Sequence, residues 1–360
     1  MARRGPDEAD HLAALTGQPE LGTASGQPVL RAVEVQQHQP AWRPAQGVDA
    51  RDRLLAAVAA LLEMDRGADP ADLVGDRAVV GVEPQARLAP LDAQRLEGPH
   101  PARGTGRLGE DPEVLARDER NRDLETPARY IENAFPESAL QYFRSGGRQV
   151  RNIEAGAGDI VVGAHYDTVA GSPGADDNAS GVAVLIELSR MVRGVRFVAF
   201  ANEEAPYFLT AEMGSFVYAR DRSDGVRAMF SLEMLGYYDD APGSQRYPAP
   251  LGLFYPDRGN FIAFVGDLGC MGLVRRSAAG FRKVSKFPCE WLAAPSVVPG
   301  LSWSDHWSFR KHGFPAVMVT DTAFYRYPHY HLPSDTPEKL DYERMASVTM
   351  GLAGMLKEMQ

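Results

Sequence analysis

Five short stretches of this 360-residue chain hold side chains that could do chemistry together. The first is His165-Tyr166-Asp167, which follows residues 159–164 (Asp-Ile-Val-Val-Gly-Ala), an apolar run that reads as a buried strand. A histidine followed two residues later by an aspartate suits a metal ligand and the group that orients its second ring nitrogen. Alone, the pair fits a solvated imidazole beside a turn aspartate better. The second stretch is the polar turn Gly174-Ala175-Asp176-Asp177-Asn178-Ala179-Ser180-Gly181, which opens a helix. A carboxylate there serves as an N-cap as readily as a ligand. The third is Asn202-Glu203-Glu204, at the end of a second buried strand over 195–201. Successive side chains of an extended chain point to opposite sides, so one glutamate can hold a metal while its neighbour does acid–base work. The fourth is Glu233, ending a candidate strand over 228–232, and the fifth is His329-Tyr330-His331 ahead of Pro333-Ser334-Asp335. Imidazoles mixed with carboxylates suit zinc, whereas an all-oxygen set would suit magnesium or calcium. No Gly-x-Ser-x-Gly elbow, phosphate loop, dinucleotide fingerprint or His-Glu-x-x-His helix offers a competing chemistry.

The elements that must position these groups are strands alternating with helices. Helices are expected over 180–192, 210–220 and 336–359, and further strands over 261–266 and 316–320. Apolar strands of this kind, separated by amphipathic helices, predict an α/β fold with a largely parallel sheet covered on both faces. Reactive residues then gather just past the carboxyl ends of the strands.

Composition divides the chain near residue 115. Before it stand a single aromatic residue, Trp42, and no isoleucine or lysine; after it Phe, Tyr, Ile and Val recur. Residues 1–115 are therefore expected to form a disordered extension or to be a GC-rich reading frame translated out of phase, and 116–360 to be the catalytic domain. Within the early segment one amphipathic helix is plausible over 51–64, with Leu54, Leu55, Val58 and Leu61 on one face. The net charge of −10 disfavours nucleic acid as a partner. Two cysteines, Cys270 and Cys289, are too few for a disulfide framework and match no zinc spacing. No apolar run approaches the ~18 residues of a membrane span, and the N-terminus has no apolar signal core; a cytoplasmic address without membrane association is expected.

Taken together, the blocks Gly163-Ala164-His165-Tyr166-Asp167-Thr168, Gly174 through Gly181, Asn202-Glu203-Glu204, Met213-Gly214-Ser215, Ser304-Asp305-His306 and Tyr330-His331 through Asp335-Thr336 resemble the zinc exopeptidases of metallopeptidase family twenty-eight, from about Glu119-Arg120-Asn121 onward. That family includes bacterial aminopeptidases, plasma glutamate carboxypeptidase and the glutaminyl cyclases. The resemblance implies a three-layer α/β/α fold around a mixed, largely parallel sheet. It also implies two zinc ions, one held by His165, Asp177 and Glu233 and the other by Asp177, Glu204 and His331. Glu203 would be the general base, Asp167 would orient His165, and Tyr330 would help stabilise the tetrahedral intermediate. Several members carry Asp where Glu233 stands. A cis peptide bond between Asp177 and Asn178 is implied too, and His331 rather than His329 as the ligand. A peptide substrate attacked at its first bond follows. The alternatives are a single-zinc glutaminyl cyclase-like acyltransferase, which needs no bridging carboxylate, and a carboxypeptidase reading a terminal carboxylate through Arg246, Arg258 or Arg326.

Overall fold

The computed structural model describes residues 48–63 and 124–360. An eight-stranded sheet organises the chain, in the order β1-β2-β4-β3-β5-β8-β6-β7. Its strands are β1 (Ser138–Ser145), β2 (Arg148–Gly156), β3 (Ile160–His165), β4 (Val195–Phe200), β5 (Ala228–Glu233), β6 (Ile262–Asp267), β7 (Cys289–Ala294) and β8 (Ala316–Thr320). The pairings β3/β4, β3/β5, β5/β8 and β6/β7 are parallel, and β1/β2, β2/β4 and β6/β8 antiparallel. The sheet is thus mixed, with a parallel centre. Strands β3, β5 and β8 are buried along their whole length, which is why they read as continuous apolar runs rather than as alternating ones.

The helices are α1 (Val48–Glu63), α2 (Glu125–Ala134), α3 (Gly181–Met191), α4 (Gly214–Asp221), α5 (Met271–Val284), α6 (His306–Lys311) and α7 (Tyr342–Met359). Together with the sheet they form the expected three layers. On one face of the sheet, Phe200, Val161, Val198 and Met229 pack with Tyr218 and Phe309 of α4 and α6. The helix expected over 210–220 starts four residues later, at Gly214, because the preceding segment is spent on turns that begin at the Glu204 carbonyl. The one expected over 336–359 is interrupted: a 3₁₀ turn at Pro337–Lys339 precedes Asp341, whose side chain accepts from the Arg344 N–H and starts α7.

Helix α1 lies well before the compositional boundary at 115, yet it packs on α3, α7 and the 175–180 segment. Leu54, Ala57, Val58 and Leu61 are buried, while Leu55, expected on the same face, is 40 % exposed. Arg53 Nε donates to Glu187 Oε2 of α3 at 2.6 Å, and Arg190 Nη1 donates to Oε1 of the same buried carboxylate. The other residues assigned to a disordered or out-of-phase extension, and the opening Glu119-Arg120-Asn121 of the resemblance, lie outside the described residues. Among the described residues no helix is long and apolar enough to cross a membrane, and Cys270 and Cys289 are both free and buried.

Candidate metal centre

Three adjacent parallel strands, β4-β3-β5, end side by side. His165, the last residue of β3, pairs with Phe200, the last of β4, and Glu233 closes β5. The chain past β4 supplies Glu203 and Glu204, and the turn into α3 supplies Asp177. His331 arrives from the loop before α7. His165 Nε2 lies 3.4 Å from Glu233 Oε2 and 3.5 Å from Asp177 Oδ1. His331 Nε2 lies 3.0 Å from Asp177 Oδ2 and 3.3 Å from Glu204 Oε1. Two clusters result, His165/Asp177/Glu233 and Asp177/Glu204/His331. In each, the candidate ligand atoms are within 4.8 Å of one another, and the clusters share Asp177 through its two different oxygens. Glu203 stands beside them, its Oε2 4.0 Å from His165 Nε2. His329 is elsewhere, bonded to Ser334 Oγ at 2.9 Å.

The backbone is bent to reach this arrangement. Asn202, Met234 and His331 all have positive φ (60°, 53° and 57°) without being glycine. Residues in this region carry strain and persist where the surroundings over-determine them. The surroundings do so here. Asn178 Nδ2 donates to the Leu232 carbonyl and its Oδ1 accepts from Met234 N–H, clamping the end of β5. Gly181 is required at the start of α3, because a Cβ would fall 2.3 Å from Asn178 Oδ1 and 2.9 Å from the Leu232 carbonyl oxygen. The Asp177–Asn178 peptide bond is cis.

Two aspartates hold the ligand-bearing segments. The expected hydrogen bond between the Asp167 carboxylate and His165 is not formed. The carboxylate is 3.6 Å from His165 Nδ1, too far for a hydrogen bond, and that nitrogen instead faces the Asp167 backbone carbonyl at 3.0 Å. The Asp167 carboxylate accepts from the N–H groups of both Glu203 and Glu204, each at 3.0 Å. Asp335 does the same for the bridging segment, accepting from Asp176 N–H at 2.9 Å and Asp177 N–H at 3.2 Å. Ser304 Oγ donates to Glu233 Oε2 at 2.7 Å. In the sequence Ser304 and Asp305 stand in a matching block without a role and Asp335 serves only to mark the spacing from His331; the structure buries all three.

The electrostatics are those of a site built for cations. Asp167, Asp177, Glu203, Glu204, Glu233 and Asp305 are all buried. Burial pushes the Glu203 carboxyl well above the usual range; His165 opposes this, and Glu204, Glu233 and Asp305 add to it. Burial, then the Asp177 charge, raises Glu204 to about 7. His331 is lifted to about 10: burial works against its charge, but hydrogen bonds to Asp177 and Glu204 outweigh it. For Asp177 burial raises the pKa, yet the two histidines win and hold it low. Crowded buried carboxylates of this kind are stable when a metal compensates them. His165 Nε2 supplies the specific indication, since it is buried and has no hydrogen-bond partner although it points at two carboxylates. Nitrogen and oxygen donors in this mixture suit zinc.

Tyr330 joins the centre to an open cavity lined largely by apolar and aromatic side chains. Its ring stacks on His331 with centroids 3.8 Å apart, and burial, followed by the charges of Asp177 and Glu204, keeps its phenol protonated. Of the three arginines considered for a terminal carboxylate, Arg326 is buried and donates to Gln245 and the Phe261 carbonyl, Arg258 donates to the Asp240 carbonyl, and none lines the cavity.

Comparison with known proteins places the chain among peptidases. Residues 150–257 and 278–356 match Peptidase family M28. The chain is 42 % identical over 258 residues to Uncharacterized protein YfbL of Escherichia coli (strain K12), covering 65 % of this chain and 80 % of that one. It is 28 % identical over 218 residues to a Probable leucine aminopeptidase of Arthroderma benhamiae, covering 56 % of this chain and 53 % of that one, so it spans about half the length of such fungal relatives. Among solved structures, an aminopeptidase from Aneurinibacillus sp. strain AM-1 aligns with a TM-score of 0.43 at 25 % identity, covering 58 % of this chain and 48 % of that one. The extent of the family match, which includes every strand bearing a candidate ligand, makes this chain a member of peptidase family M28.

Proposed function

We propose that the chain is a two-zinc aminopeptidase that hydrolyses the first peptide bond of a peptide, with Glu203 as general base. The observation that carries this is the pair of histidine–carboxylate clusters sharing Asp177, with Glu203 beside them and His165 Nε2 unpartnered. His165, Asp177 and Glu233 would hold one ion and Asp177, Glu204 and His331 the other. When bound, they would polarise the scissile carbonyl and lower the pKa of an attacking water toward neutrality.

The chain's own residues do the rest. Glu203, whose burial makes it a ready proton acceptor, takes the proton of the attacking water and returns it to the leaving amine nitrogen. Asp167 fixes the main chain of Glu203 and Glu204, so base and ligand keep their separation. Tyr330, held neutral, donates a hydrogen bond to the carbonyl oxygen as it gains charge. The surplus of buried carboxylates attracts the substrate's terminal ammonium and so favours its first bond. The lack of an arginine lining the cavity, among the described residues, weighs against a carboxypeptidase. The two carboxylate oxygens that Asp177 presents to two histidines weigh against a single-zinc cyclase.

Chromogenic aminoacyl substrates, with free and with acetylated amino termini, test this reading alongside a peptide beginning with glutamine. Hydrolysis of the free-amine substrates alone, lost on chelation and restored by zinc, is expected. Cyclisation of the glutamine without hydrolysis, or release of carboxyl-terminal residues from blocked peptides, overturns it.

A further inference from the structure

The sheet register leads away from the metal centre along one row of residues. Glu233 pairs with Thr320, Thr320 with Ala263, and Ala263 with Glu290. Directly paired residues project from the same face of a sheet, and all four line the cavity. The next row of floor residues is Met318, Val265 and Leu292, again in register and again lining it. The cavity is therefore a trough laid across β5, β8, β6 and β7. It begins at Glu233 and reaches Glu290 three strand spacings away, about 14 Å between backbones. Ala263, the smallest side chain in the row, leaves its middle open.

The walls and the far end differ in chemistry. Tyr247, Tyr255, Phe261, Phe324 and Tyr330 wall the trough. Tyr247 and Tyr255 spend their hydroxyls on the carbonyls of Pro256 and Trp291, leaving ring surface for a ligand. The Glu290 carboxylate at the end accepts no hydrogen bond among the described residues, and its one ion pair is a loose one. Arg282 approaches it only to 3.6 Å and is committed through Nε and Nη2 to the Cys289 carbonyl. Burial accordingly raises the Glu290 carboxyl above the ordinary range, with Arg282 offsetting part of the effect. A half-buried carboxylate with one loosely placed guanidinium beside it and no hydrogen-bond donor of its own retains capacity for a second cation.

Resting on the aminopeptidase reading, we infer that the trough receives the side chain of the substrate's first residue and that Glu290 selects a long chain ending in a cation, arginine or lysine. The aliphatic stem lies along the Met318, Val265 and Leu292 floor, as such stems do on apolar surface. The cationic head meets tyrosine faces and then the Glu290 carboxylate, and an arginine gains further from its planar fork. Norleucine fills the same stem without the head and isolates the contribution of Glu290.

The test uses the full chain incubated with zinc. Calorimetry measures binding of L-argininamide, L-lysinamide and L-norleucinamide, and the matching p-nitroanilides measure hydrolysis, for wild type, Glu290→Gln and Glu290→Asp. A charge-assisted hydrogen bond corresponds to a factor of about 10–100. The preference for argininamide over norleucinamide should fall by that factor in Glu290→Gln and recover in part in Glu290→Asp, with the kcat/KM ratio following. A ratio unchanged by Glu290→Gln, or no argininamide binding to the wild type, overturns the inference even if hydrolysis is robust. Glu290-dependent argininamide binding without any hydrolysis sustains the trough and overturns the aminopeptidase reading instead.

Discussion

The two clusters that share Asp177 are built from different kinds of structure. His165 and Glu233 are the last residues of two buried strands, and their side chains are 1 % and 9 % exposed. His331 sits on an irregular loop at positive φ, with its side chain 33 % exposed, and Glu204 opens a run of turns. The first cluster is fixed by the sheet itself; the second is assembled by the hydrogen bonds that Asp167 accepts from Glu203 and Glu204 N–H and by the fold of one loop. A site made this way has a half set by strand ends and a half set by loops, and the loop-built half, where Tyr330 and His331 stack, is the more exposed.

The largest contrast should come from the histidines. His165→Ala removes the cation-facing group of a fully buried cluster, and breaking a buried pair costs about 3–5 kcal/mol. Thermal unfolding of the metal-free protein should show that loss, with activity abolished. His331→Ala removes bonds to the buried Asp177 and Glu204, but at a site a third exposed that water can enter, so it should destabilise the metal-free protein less than His165→Ala does, while lowering zinc from two ions to one. Equal destabilisation by the two would erase the distinction between the halves.

A smaller effect is expected from Asp167→Asn. An amide offers one acceptor where two N–H groups need two, so Glu203 and Glu204 lose part of their anchor. Outer partners of metal ligands are worth about 10–100-fold in affinity or activity. The loss should appear in kcat, and zinc titration should show weakening at the Glu204 cluster before the His165 cluster. Weakening at both together would mean that Asp167 acts mainly through His165.

The smallest effect on turnover belongs to α1. Leu54 is fully buried where α1 packs on α3, α7 and the 175–180 segment. Leu54→Ala should lower stability by about 2–5 kcal/mol and leave kcat at 25 °C near wild type. Denaturant unfolding and kinetics on the same preparation check both halves of this statement. A fall in kcat as large as that of Asp167→Asn would make α1 a support of the site rather than of the domain.

The half set by strand ends was also the legible half. Strand ends at His165 and Glu233 follow from apolar runs and their termination. The sharing of Asp177 and the choice of His331 over His329 came from resemblance, because period-two logic places both histidines on one face. The antiparallel hairpin β1/β2 went unread although Gly146-Gly147 between two alternating stretches signals it. Strand β7 was missed because it is an edge strand, with Glu290 and Trp291 only half-buried, so no apolar run marks it. The Glu233–Glu290 trough could not be read at all: it depends on three strand registers, and those are fixed by packing rather than by local pattern. Helix α1 was read, but composition around it hid that it belongs to the catalytic fold.

Zinc content and turnover, measured together on the full chain and on Glu203→Gln, bear most directly on the central claim. The wild type should hold two zinc ions per chain. Glu203→Gln should hold two as well while its kcat falls by about 10²–10⁴, because only the proton carrier is lost. One zinc in the wild type, or a Glu203→Gln variant that retains its metals and more than about a tenth of its activity, would contradict a two-metal site served by Glu203.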